Sequence, residues 1–130
     1  MRIESYRDLL VWQKSMDLVV ECYGVTRTFP DSERFGLSSQ LQRAAVSIPA
    51  NVAEGRGRGH IKEFLRHVGI ASGSLAELET HVEIAKRLGY LRPDRNASLV
   101  ETMTEVGRML TGLRSDAASI AEVAAILLFS

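Results

Sequence analysis

Residues 61–88 read IKEFLRHVGIASGSLAELETHVEIAKRL, and their apolar positions decide the fold class. Ile61, Phe64, Val68, Ala71, Leu75, Leu78, Val82 and Ala85 follow one another at alternating steps of three and four. That is the period of a helix with one unbroken apolar seam, about 40 Å long at ~1.5 Å per residue. A half-buried strand would alternate every second residue, and no segment of the chain sustains that pattern. Gly89 is placed to stop the helix after Leu88.

The same signal extends in both directions. Downstream, Pro93 suits a first helical position. Leu99, Met103, Val106, Leu110 and Leu113 then keep the alternation, and Ala117, Ile120, Ala124 and Leu127 carry it into the tail. Upstream, Leu37, Leu41, Ala44, Ala45, Ile48 and Val52 give a second helix that ends in the run Gly55, Gly57, Gly59. Ser39 with Gln42 is its candidate capping box. The first helix is read from Leu9, Trp12, Met16, Val19, Tyr23 and Thr26, with Ser5 and Asp8 as its cap and Phe29-Pro30-Asp31 as its closing turn. Val11 and Ile70 fall outside these seams and are expected to be spare apolar surface. Connections of a few residues make neighbouring helices antiparallel. The expectation is an all-α, antiparallel, up-and-down four-helix bundle, one domain over residues 1–130.

Pro49 lies within the second helix. Proline removes one backbone hydrogen bond and clashes with the preceding turn, at a cost of ~3 kcal/mol. The helix could break near Ser47 and restart, but the seam stays in phase from Ala45 through Ile48 to Val52, which favours a bent, continuous helix.

On its other side the second helix carries Gln40, Arg43, Ser47, Asn51, Glu54 and Arg58 at three- and four-residue steps. Amide, hydroxyl and guanidinium groups are the chemistry of contacts rather than of a lysine–glutamate solvated face. Two readings stand: a subunit interface, or a surface that addresses phosphates or bases. Arg56, Arg58, His60 and Lys62 follow, either as a solvated loop or as an anion site at the start of the third helix. The candidate contact residues are therefore Gln40, Arg43, Ser47, Asn51, Glu54, Arg56, Arg58 and Lys62. Gly69, Gly73 and Ala76 form a small-residue strip where another helix could approach, within the bundle or from another subunit.

Charge narrows the partners. Sixteen basic and sixteen acidic residues cancel, so no global field draws the chain onto nucleic acid. From Arg34 to Lys62, however, five basic residues face one acid, Glu54. Cys22 is alone, which excludes a disulfide framework and a thiolate metal site. The start, MRIESYRDLL, has no signal-peptide core, and Ala117 to Phe129 is too short to span a bilayer, so a cytoplasmic location without membrane contact is expected.

Catalytic patterns are missing. The positions three before His60, His67 and His81 are Gly57, Phe64 and Leu78, so no Glu-x-x-His metal pair exists. The histidines stand at multiples of seven on one face, neighbours ~10 Å apart per heptad, too far to share one ion. They are expected to be solvated or interfacial. The glycine run follows a helix rather than a strand, so it is no dinucleotide fingerprint. A non-enzyme without cofactor is expected.

The segment FPDSERFGLSSQLQRAAVSIPANVAEG, with DLLVWQKSMDLV before it and IASGSLAELET and Leu88-Gly89-Tyr90-Leu91 after it, resembles the four-helix bundle proteins encoded in intervening sequences of bacterial 23S ribosomal RNA genes. The same family includes accessory proteins of diversity-generating retroelements. The resemblance covers about residues 6–114 and leaves 116–130 as a C-terminal extension. It implies an antiparallel bundle that assembles as a homopentameric ring. Relatives of the retroelement accessory protein bind nucleic acid and a reverse transcriptase but are strongly basic, unlike this neutral chain. The expected function is a non-enzymatic oligomer, either contacting RNA or another polyanion through the candidate residues, or serving purely as a protein-interaction ring.

Overall fold

Four helices account for most of the computed structural model, which describes residues 5–129 and their side chains through Ala117. They are α1 (Leu10–Thr26), α2 (Leu37–Gly57), α3 (Ile61–Arg87) and α4 (Pro93–Phe129). Short 3-10 turns at Tyr6–Asp8 and Asp31–Glu33 precede α1 and α2. Among the described residues there is no strand. The fold is an all-α four-helix bundle.

Each helix packs on its neighbours in chain order and α4 closes on α1, while among the described residues the backbones of the diagonal pairs stay apart. The pairings count up on one helix as they count down on the next. Ser47 meets Ser74 and Asn51 meets His67 between α2 and α3. Lys14 meets Glu105 and Glu21 meets Thr102 between α1 and α4. This is the order of antiparallel hairpins.

The α3 seam is buried from Val68 through Ala71, Leu75, Leu78 and Val82 to Ala85, but its first two expected members are not: Phe64 is half-buried and Ile61 is 38% exposed, where the helix begins at the end of the bundle. Also buried are Leu41, Ala44, Ala45, Ile48 and Val52 of α2 and Leu99, Met103, Val106 and Leu110 of α4. The tail positions Ile120, Ala124 and Leu127 lie outside the described side chains.

Helix α1 corrects the reading. Of the expected seam, Leu9 and Thr26 are buried and Trp12 and Val19 pack against the core in part, but the stripe is centred one position earlier, on Val11, Ser15, Leu18, Cys22 and Val25. Met16 and Tyr23 face outward, and Val11, expected as spare surface, is only 4% exposed. Ser15 tolerates complete burial because its hydroxyl donates to the Val11 carbonyl at 2.7 Å, within reach also of the Trp12 carbonyl.

Helix ends also differ in detail. The Ser5–Asp8 capping box forms, but on the 3-10 turn rather than on α1. The expected box at Ser39 and Gln42 does not cap α2, whose N-cap is Gly36. Instead the Glu33 carboxylate accepts from the Leu37 amide at 3.4 Å. Helix α2 runs without a break through the buried Pro49. At the end of α3, Gly89 has φ of 78°. Its amide bonds the Lys86 carbonyl, and the Tyr90 amide bonds that of Ala85. This paired motif satisfies the last carbonyls and needs a left-handed residue, which glycine supplies.

Candidate interaction surface

The polar stripe of α2 divides into three parts. Gln40 and Arg43 are exposed near its start, and Arg43 lines a shallow groove with Tyr23, Gln42 and Val46. Ser47 and Asn51 are half-buried under α3. Glu54 and Arg58 are exposed and hold each other at 2.9 Å. Arg56 is half-buried beside the α2–α3 turn, and Lys62 is exposed in the first turn of α3. The structure therefore does not gather the eight candidates into one site.

The middle part is a hydrogen-bonded chain between two helices. The Ser47 and Ser74 hydroxyls lie 2.8 Å apart. The Asn51 amide nitrogen donates to the Ser47 carbonyl at 2.8 Å and to its hydroxyl at 3.0 Å. Its oxygen therefore faces His67 Nδ1, at 3.1 Å, as an acceptor. That assigns the proton to Nδ1 and leaves the Nε2 lone pair toward Arg66 Nη2 at 3.3 Å. Arg66 in turn bonds Glu63 at 3.3 Å.

The expectation of solvated or interfacial histidines fails for two of them: His67 is 3% exposed and His81 8%. The heptad spacing that aligned them lies along the contact with α2, where burial is imposed. Gly55 permits the close approach, since a Cβ there would stand 2.7 Å from His67 Cβ. Among the described residues no three His, Cys, Asp or Glu side chains converge as a metal would require.

Charges follow this geometry. The hydrogen bond from Arg58, with the Arg66 guanidinium adding to it, lowers the Glu54 carboxyl below its ordinary range. Burial pushes the Cys22 thiol up to about 12, with Glu21 adding to it. A raised thiol is the reverse of what a cysteine nucleophile needs.

Two surfaces escaped the sequence reading. Met16, Val20 and Tyr23 are 38%, 70% and 41% exposed and stand at steps of four and three on the outer side of α1, with Val46 of α2 beside Tyr23. The spacing is visible in the sequence, but the expected α1 seam takes Met16 and Tyr23 inward. At the α1–α2 turn, Tyr23, Arg27, Arg34 and Phe35 line a groove of about 440 Å³. Phe35 is 89% exposed with the Arg34 guanidinium 5.3 Å from its ring centre.

At the opposite end an apolar cleft of about 410 Å³ lies between Leu9, Gly55, Ile61, Phe64, Leu113 and Ala117, with Arg56, His60 and Asp116 at its edge. Gly73 of the small-residue strip is exposed, with open space where a Cβ would stand. That part of the strip faces away from the bundle. No helix among the described residues is long and apolar enough to cross a membrane.

Comparison with known proteins supports the same architecture. No curated protein matches the chain. A solved structure from Bacteroides thetaiotaomicron, described as a protein with unknown function from the S23 ribosomal protein family, is similar with a TM-score of 0.75 at 24% identity. The match covers 81% of this chain and 98% of that one, and at this identity it carries the fold alone. Residues 7–112 match the family described as 23S rRNA-intervening sequence protein, so the chain belongs to that family.

Proposed function

We propose that the protein is a non-enzymatic, self-associating scaffold whose outer α1–α2 face is the contact between subunits. The observation that carries this is the row Met16, Val20 and Tyr23 with Val46 beside it, a cluster of large apolar side chains left uncovered by the chain's own bundle. The hydroxyl, amide and imidazole groups that would otherwise suggest chemistry are bonded to one another across α2 and α3. A ring, pentameric by the family resemblance, would bury the apolar row and place Gln40 and Arg43 at its margin.

Light scattering should give a mass several times the 14.4 kDa of one chain, near fivefold for the pentamer. A V20E/V46E variant should shift toward monomer with unchanged helicity. A wild-type monomer at micromolar concentration sinks the proposal.

A second reading is contact with RNA. It is favoured by the groove at the α1–α2 turn, where arginines flank an exposed aromatic, the combination that stacks and neutralises single strands. Arg43 adjoins this groove, while Arg56, Arg58 and Lys62 lie at the far end of α2, and repetition around a ring would make weak contacts multivalent. RNA binding that falls steeply with salt, and drops in R34E/F35A more than in R56E/R58E, would support it. No binding at low salt would remove it.

A further inference from the structure

We infer that the end of α4, residues 118–129, docks into the apolar cleft at the α2–α3 end of a second copy of this chain. The contact is separate from the α1–α2 face proposed above. Its first support is length. Helix α4 has 37 residues and α3 27, about 55 Å against about 40 Å. Leu113 and Ala117 already stand level with Leu9 and Ile61, where the neighbouring helices begin, because all four line the same cleft. The continuous helix therefore runs about 18 Å further along its own axis.

Its second support is composition. Residues 118–129 read ASIAEVAAILLF, in which only Ser119 and Glu122 are polar. A helix apolar on nearly every side needs burial against another surface.

The segment cannot fill its own chain's cleft. Leu113 and Ala117 form one wall of that cleft, and an unbroken helix cannot fold back into the space that its own preceding turn borders. A second copy can supply the surface, and every copy brings one segment and one cleft in equal number. The charges agree: the segment's single charge is Glu122, whereas the cleft edge carries Arg56 and His60 against one acid, Asp116. The family match ends at residue 112, so the segment lies beyond the shared bundle.

The test is cross-linking of two full-length variants, A124C and I61C, mixed under mild oxidation. The buried Cys22 does not compete. A disulfide joining position 124 of one chain to position 61 of the other is expected, its yield falling at least ~10-fold when L127E is added, because a carboxylate is poorly tolerated in an apolar contact. The disulfide should persist when V20E/V46E is introduced into both chains, which separates this contact from the α1–α2 face. Cross-links confined to pairs of position 124, or no cross-link at all, would overturn the inference. Capture of a different protein by the segment, with no 124–61 link, would overturn it as well.

Discussion

The Tyr90 hydroxyl donates to the Glu33 carboxylate at 3.0 Å, joining two turns 57 positions apart in the chain. Glu33 uses its other oxygen to accept from the Leu37 amide at the start of α2. The Tyr90 ring lies 5.5 Å from that of Phe29, so the α1–α2 and α3–α4 turns are fastened by one polar and one aromatic contact.

Tyr90→Phe should therefore lower stability modestly, through the loss of one hydrogen bond, with little change in the aromatic contact. The bond to Glu33 raises the Tyr90 phenol above its ordinary range. A raised acid contributes stability that is complete below its unfolded pKa and is lost as pH rises through the folded one. Ultraviolet titration of the phenolates should show Tyr90 ionising above the ordinary tyrosine range, a late component that the phenylalanine variant lacks. Equal stability of the two proteins at pH 7 would contradict the bond.

Leu78 is completely buried at the middle of the α3 seam. Leu78→Ala should cost ~2–5 kcal/mol through lost transfer energy and the cavity left behind. A thermal melt with an unchanged midpoint would show that the seam does not form the core.

Asn51→Ala removes the acceptor for the His67 Nδ1 proton in a site that is 3% exposed. Leaving a buried donor unpaired should cost ~1–3 kcal/mol, more than the ~0.5–1.5 expected for Ser74→Ala at the far end of the same chain of bonds. Urea unfolding of the two variants measures the difference, and the reverse order would refute the assigned direction of these bonds.

Cys22 gives a pH dependence. Between the ordinary thiol value of about 8.5 and about 12, the unfolded chain has lost this proton and the native chain has kept it. Stability should fall as pH rises through that window, and Cys22→Ala should flatten the slope. A thiol reagent at pH 8 should label native protein at least ~10³-fold more slowly than protein in urea, the ratio set by a stability of about 5 kcal/mol. Rapid native labelling would mean that α1 opens locally.

Helix α3 was legible because Val68, Leu75, Leu78 and Val82 stand in strict phase, while the apolar residues off the seam, Ile70 and Ile84, are too few to make a second stripe. Helix α1 misled because it has two stripes. Its inner one contains Ser15 and Cys22, while its outer one contains Met16, Val20 and Tyr23, so a seam drawn through the larger apolar residues takes in Met16 and Tyr23, which face out. The stripe on α2 was visible as a polar period, but a period cannot tell which of its edges a neighbour will cover. Ser47 and Asn51 lie on the covered edge, and the partners that reveal this, Ser74 and His67, are 27 and 16 positions away. Phe35 carried no periodic signal, since it precedes α2 by two residues.

The closure of α4 on α1 makes the order of the helices a cycle. Leu9 and Ala117 share a cleft, so the chain returns to its starting point where the bundle ends. Joining Ala117 to Tyr6 through a short glycine–serine linker and opening the chain between Tyr90 and Leu91 preserves every helix pair. Such a circularly permuted chain, α4 first and α3 last, should reach the same bundle by a different sequence of closures.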